Sequence, residues 1–253
     1  MGARSTLETL LSIDRSVLFI VGAAVFLGAV VQGTVGFGVN LLAAPTVVLL
    51  EPSLMPVALL VVGIILPLVS WWNEREHVDE EVPWALAGRV AGTIPGVWLV
   101  SLLRPDQLGI AIAILILLTV ALTVFRVEVQ VNRSTLVGAG FVSAIAGTTA
   151  GIGGPSLGIV YQRSAPSTAR ATTSVVLLVG SLMSLAGLAI AGRVEARQLW
   201  TGLALIPFVV TGFVAALHVR GRFQGPSFRN VVLAAVVLSA VAVLARPLLA
   251  PMI

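Results

Sequence analysis

Apolar residues run along this chain in long stretches, not in the strict alternation of a half-buried strand or the narrow stripe of a surface helix. Ten stretches can be delimited, in two sets of five: 17–32, 39–50, 53–72, 82–103 and 107–124, then 135–146, 155–161, 167–191, 199–219 and 228–245. A helix rises about 1.5 Å per residue and the hydrocarbon core of a bilayer is about 30 Å thick, so a crossing needs roughly 20 residues. The last three stretches of each set reach or approach that length. The first two of each set are mostly too short. The pattern predicts an all-α, polytopic transmembrane bundle in which each set contributes a glycine-broken helical pair and three full-length helices, eight to ten segments in all.

The two sets read as diverged copies. Gly33-Thr34-Val35-Gly36-Phe37-Gly38 matches Gly147-Thr148-Thr149-Ala150-Gly151-Ile152-Gly153 with one residue inserted. Pro52-Ser53 matches Pro166-Ser167, His77-Val78-Asp79 matches Arg193-Val194-Glu195, Trp84 matches Trp200 and Pro105 matches Pro226, all in the same order. The chain accordingly divides into a first membrane repeat, 1–125, a connecting loop, 126–134, and a second repeat, 135–253. An odd number of crossings per copy would run the copies oppositely through the bilayer, as in transporters whose site lies near the midplane between two inverted repeats. On that count Arg75, Arg126, Arg133, Arg163, Arg170, Arg220, Arg222 and Arg229 share one side, and Arg4, Arg15, Arg104, Arg193, Arg197 and Arg246 share the other. The larger basic set is expected in the cytoplasm, with both termini outside.

Composition strengthens the membrane reading. Hydrophobic residues make up 58% of the chain and charged residues 10%, against roughly 25% charged in an average soluble domain. Mean hydropathy is +1.06. A multi-pass protein of the inner (cytoplasmic) membrane is expected. The pI of about 11.2 does not signal nucleic acid, because the arginines stand singly between apolar runs with no basic patch. The absence of cysteine excludes disulfides, thiolate zinc sites and thiol relays. The first stretch is expected to be retained, since Gly33-Thr34-Val35-Gly36 is a poor signal-peptidase site.

The candidate chemistry centres on the two glycine-rich breaks, 33–38 and 147–155. In lipid, irregular backbone is tolerated only where it is buried in protein or lines a polar cavity. A helix restarting at mid-membrane also aims its N-terminus, roughly half a positive charge, into the gap. An anion is therefore expected between the breaks. The backbone N–H groups of 36–38 and 151–154 would hold it, with side-chain hydrogen bonds from Gln32, Thr34, Asn40, Thr148 and Thr149. Gly33, Gly36, Gly38, Gly147, Gly151, Gly153, Gly154 and Pro155 complete the expected substrate-binding set. The competing reading is that such glycines only let helices approach closely. For Thr148, Thr149 and Ser156, bonding back to their own helix is the commoner alternative.

Arg89 lies about two turns inside stretch 82–103, where arginine is costly and usually functional. It either joins the site or snorkels to the interface toward Glu80 or Glu81. The run Glu74, Glu76, His77, Asp79, Glu80, Glu81 reads as a solvated loop and not a metal site. No Asp or Glu lies centrally in a stretch, so a carboxylate proton relay has no carrier, and His218 has no acid near it in sequence. An intramembrane enzyme lacks its ingredients: there is no His-Glu-x-x-His, no Asp pair and no cysteine. No catalytic residue, metal or cofactor is expected.

Several of these motifs resemble a known family. Gln32-Gly-Thr-Val-Gly-Phe-Gly38 followed by Leu-Leu-Ala-Ala-Pro45 is similar to the first signature of the sulfite exporter TauE/SafE permeases, also called the toluene-sulfonate-uptake permeases. The stretch from Gly147 to Pro155 resembles their second glycine signature, and Gly88-Arg-Val-Ala-Gly-Thr-Ile-Pro-Gly96, Ala171-Thr-Thr-Ser174 and Gly192-Arg-Val194 resemble further family motifs. The likeness covers roughly 17–245 and departs from the family at Val39-Asn40, where many members continue with glycine. It implies secondary transport, by alternating access, of a small anion such as sulfite, thiosulfate or an organosulfonate. An anion channel and a non-transporting assembly factor are the alternatives. The expected partners are the anionic substrate and the lipid bilayer, with no nucleic acid, and association as a homodimer is left open.

Overall fold

The computed structural model describes residues 14–35, 38–124, 129–219 and 226–249. Within them the chain forms ten α-helices: α1 (Arg15–Val35), α2 (Val39–Leu50), α3 (Val57–Glu74), α4 (Val82–Leu102), α5 (Pro105–Val124), α6 (Arg133–Ala150), α7 (Gly154–Val160), α8 (Pro166–Ile190), α9 (Ala196–Val219) and α10 (Pro226–Leu249). Short 3-10 turns, Pro52–Leu54 and Arg75–His77, flank α3. Helices α1, α3, α4, α8 and α9 each contain a described span long and apolar enough to cross a bilayer.

Local chemistry sets many of the helix ends. Proline occupies the first turn of α4, α7 and α8, where its missing N–H costs nothing. Asn132 caps α6 by accepting from the Thr135 N–H at 2.9 Å, and the Thr135 hydroxyl accepts from the Asn132 N–H at 3.0 Å. Glycine is needed for backbone reasons at both breaks: Gly38, at φ 144°, opens α2, and Gly151, at φ 71°, closes α6.

Three sequence expectations are corrected. Helix α6 continues to Ala150, so Gly147, Thr148 and Thr149 are helical and the second break narrows to the residues around Gly151. Likewise α1 reaches Val35, which makes Gly33 and Thr34 helical. In an apolar medium each lost backbone hydrogen bond is expensive, so the helix persists until a residue can leave it with its N–H satisfied. Gly151 does so, donating to the Gly147 carbonyl at 2.8 Å. The stretch 53–72 is also not one helix. It starts with the 3-10 turn, and α3 begins only after Pro56.

The most extensive helix contact joins α4 to α6, and the next joins α9 to α1. Ala85, Gly88, Gly92 and Gly96 share one face of α4. A Cβ on Gly88 would overlap the Val137 carbonyl oxygen, and one on Gly140 would overlap the Ala85 carbonyl oxygen, so the two backbones touch. Across α9 and α1, Gly212 sits as closely against Phe26 and Ala29. This is packing by small residues, the main route to tight helix association where lipid removes the hydrophobic drive. Several further pairings match between the two sets. Helix α9 packs on α3 as α4 does on α8, α1 on α2 as α6 does on α7, and α10 on α2 as α5 does on α7, while α3 crosses α8 and α5 meets α10. Leu157, Val160 and Tyr161 pack with Ala85, Leu136 and Ala139, so α7 turns back toward the end of the bundle where α6 begins.

Exposed Trp72 and Trp84 mark that end, with the guanidinium of Arg75 5.2 Å above one ring and that of Arg133 5.0 Å above the other. Exposed Trp98 and Trp200 lie toward the opposite end. Tryptophan at both ends of spanning helices fits the two interfacial belts of a membrane protein.

The α4–α6 contact yields a paired test. Gly140→Ala should destabilise the protein in detergent by about 2 kcal/mol or more, because the clash is with main chain that cannot yield. Gly138→Ala on the same helix meets nothing within 4 Å and should be neutral or stabilising by roughly 0.5–1 kcal/mol. Thermal unfolding of the two variants checks this.

Candidate functional site

Between the two breaks lies a cavity in which the centre of a water molecule could range over about 40 Å³. One water needs roughly 10–15 Å³ of such space, so a small polyatomic ion fits. Its wall takes Gln32 from α1, Gly38 and Asn40 at the start of α2, Gly63 from α3, Arg89 from α4, Gly147 from α6, Gly151 to Pro155, and Ser181 from α8.

Arg89 is 1% exposed. One of its nitrogens, Nη1, donates to the Ser143 carbonyl at 2.8 Å and to the Ser143 hydroxyl at 2.5 Å, and that hydroxyl donates onward to the Gly153 carbonyl at 2.7 Å. Its Nε is buried without a partner. Three glycines make the slot for the guanidinium. A Cβ on Gly147 would lie 2.9 Å from Nη2, one on Gly153 2.6 Å from Nη1, and one on Gly180 would overlap Nε. Snorkelling toward an acid is corrected. Glu81 faces Arg133 at 3.5 Å, Glu80 is exposed, and among the described residues no carboxylate pairs with Arg89. A full positive charge therefore stands at the cavity without a counter-ion among the described residues.

The other candidates divide. Asn40 is buried at the wall, and its Nδ2 donates to the Leu59 carbonyl at 3.1 Å and the Gly151 carbonyl at 2.9 Å. Gln32 lends its Oε1 to the Val39 N–H at 3.1 Å, so the first turn of α2 is capped by a side chain. Gly38, Gly147, Gly151, Gly153, Gly154 and Pro155 line the cavity. Three are placed elsewhere. Thr148 shares a 2.8 Å hydrogen bond with Ser184, Thr149 donates to the Ile145 carbonyl of its own helix, and Gly33 admits Ala216 and Phe213 of α9. Ser156 is also turned aside, bonding the Ala139 carbonyl at 3.1 Å. The Thr34 side chain and Gly36 lie outside the described residues. Of the backbone N–H groups expected to face an anion, that of Gly151 is consumed by the close of α6, as is that of Ile152, which reaches the Ala146 carbonyl at 3.2 Å.

Ser143, Gly180, Ser181 and Gly63 escaped the sequence reading. Ser143 had a signal, since it sits four residues before Gly147 on the same face of α6. Gly180-Ser181 is a small, polar pair deep inside the 25-residue α8, and Gly63 interrupts the apolar α3 in the same manner.

At the two ends of the bundle, ion pairs span the halves of the chain. Arg170 at the start of α8 binds Glu74 at the end of α3 at 2.6 Å, and the Thr172 hydroxyl accepts from the Asp79 N–H at 2.9 Å. At the other end, Arg197 of α9 binds Glu51 at 3.2 Å, and the Gln198 amide donates to the Ser53 carbonyl at 2.7 Å. The Ser53 hydroxyl, 2.6 Å from Glu51, is the main cause holding that carboxyl below its usual range, against a smaller opposing effect of burial. Each described ion pair joins residues 14–124 to residues 129–219.

Comparison with curated proteins and with solved structures returns no match. The family model for the sulfite exporter TauE/SafE matches residues 20–243, most of the chain. With spanning helices, paired glycine-rich signatures and a charged central cavity, this chain belongs to the sulfite exporter TauE/SafE family of transmembrane permeases.

Proposed function

We propose that this chain moves a small sulfur oxyanion, such as sulfite, thiosulfate or an organosulfonate, across the cytoplasmic membrane by alternating access between two inverted repeats, 1–125 and 135–253. The observation that carries the reading is Arg89, a guanidinium buried at the cavity wall with no acidic partner among the described residues. A buried charge without a counter-ion is costly, and an anion entering the cavity removes that cost. The charge comes from Arg89 more than from the helix starts. The seven-residue α7 has a weak dipole, whereas the guanidinium carries a full charge and unused donors. Its two bonds to Ser143 temper the attraction, which suits a site that must also release its ligand.

The matched helix pairings support two related repeats. Inversion is supported by chain direction, since α1 leads from the end that holds Glu51 and Arg197, while α6 starts at the end that holds Tyr161 and Arg133. The ion pairs between halves suit a rocking motion. Exposed pairs are worth about 0–1 kcal/mol each, so they can be broken at one end while re-forming at the other.

Flux of radiolabelled sulfite into proteoliposomes tests the proposal. Arg89→Gln should reduce transport by about 10- to 100-fold, the scale of a charge-assisted hydrogen bond. Gly180→Ala should transport poorly, because its Cβ would overlap the Arg89 Nε and displace the guanidinium, while meeting no main chain among its nearest neighbours. Normal flux in both variants would exclude the site. Thr148→Val should leave sulfite affinity unchanged and cost about 1 kcal/mol of stability, from loss of the Ser184 hydrogen bond. Reporter fusions at Arg133 should report cytoplasm, and those at the N-terminus should report the outside.

A further inference from the structure

The hydrogen-bonding groups left over in the cavity wall specify the charge and protonation of its occupant. Arg89 keeps an unpartnered, cationic Nε–H donor. Asn40, 7% exposed, gives its Nδ2 to two carbonyl oxygens, at 3.1 and 2.9 Å. Two acceptors on that atom identify it as the nitrogen, so the other end of the amide is the oxygen. That Oδ1 is buried and receives no hydrogen bond. An orphaned acceptor inside an apolar medium costs roughly as much as a lost hydrogen bond, which the occupant can restore by donating. Both residues line the one cavity, where Gly151 packs on the Asn40 amide and Gly153 on the Arg89 guanidinium.

Charge counting leads to the same occupant. The wall draws on α1, α2, α3, α4, α6, the α6–α7 link, α7 and α8, and Arg89 is the one charged or titratable side chain among its described residues. A monoanion neutralises it. A dianion would leave one uncompensated negative charge in a medium of low dielectric, and its oxygens, all acceptors, would face the Asn40 lone pairs.

We propose that the species bound is a monoanion carrying its own hydrogen-bond donor, of which hydrogensulfite is the smallest sulfur example. Arg89 holds its oxyanion face and Asn40 Oδ1 accepts its proton-bearing group. This rests on the anion-permease reading above and narrows it, setting aside dianionic sulfite and thiosulfate. It also explains how the bilayer interior can manage without a carboxylate relay: the proton crosses on the substrate.

Calorimetric titration of the full-length protein in detergent, at pH 6, 7, 8 and 9, tests this with sulfite, methanesulfonate and sulfate. Methanesulfonate is a monoanion of nearly the same shape as hydrogensulfite but lacks the donor, and it does not titrate in this range. Sulfite affinity should fall about tenfold per pH unit once the pH exceeds sulfite's own pKa, by linkage to its protonation. Methanesulfonate should bind at least tenfold more weakly than sulfite at pH 6, with no pH dependence, and sulfate should not bind. Sulfite affinity that is flat or rises with pH overturns the inference and leaves the anion site standing. So does methanesulfonate binding as tightly as sulfite at pH 6, or losing affinity in parallel with it, since the protein would then be titrating. Failure of all three anions to bind at any pH overturns the anion-permease reading itself.

Discussion

A guanidinium placed two turns inside a membrane-spanning helix needs hydrogen bonds, room and a counter-charge. Arg89 obtains the first from Ser143 and the second from Gly147, Gly153 and Gly180, three positions where any side chain would press on it. The third it does not obtain from the described protein. The glycine-rich signature around 147–154 thus makes room for the arginine, and in the function proposed above that arginine is what draws an anion into the cavity.

That slot depends on how closely the helices around it approach. Helices α4 and α6 touch backbone to backbone through Ala85, Gly88, Gly92 and Gly140, which brings Arg89 over Ser143 with no water between them. Lipid offers little hydrophobic gain for packing one apolar helix on another, so contact of this kind relies on dispersion over small residues. The same device joins α1 to α9, but no counterpart of Arg89 appears in the described wall of the cavity. Among the described residues of the wall, the charge comes from one half of the chain alone.

The ends of the bundle are built differently from its centre. There the halves are held by Glu51–Arg197, Glu74–Arg170 and Glu81–Arg133, all partly exposed and individually weak. A closely packed middle between polar ends joined by weak pairs suits the rocking motion proposed above.

The sequence alone determined the membrane-spanning class, the succession of ten helical segments, the paired signatures and the family, because apolar length and glycine spacing are properties of the chain itself. It also singled out Arg89, Asn40 and Gln32, since polar groups in long apolar runs are too expensive to be incidental. The direction in which each polar side chain points was decided only by the tertiary structure. Thr148 and Thr149 sit one position apart on α6, and the helical rotation between them turns one to Ser184 and the other to its own backbone, neither into the cavity. Whether Arg89 would reach an acid or stand alone depended on α6 and α8 closing over it, with Glu81 already opposite Arg133. Residue type is written in the chain, but which groups are left without partners is a property of the packed assembly. In the cavity wall that remainder is one cationic donor, Arg89 Nε, and one orphaned acceptor, Asn40 Oδ1.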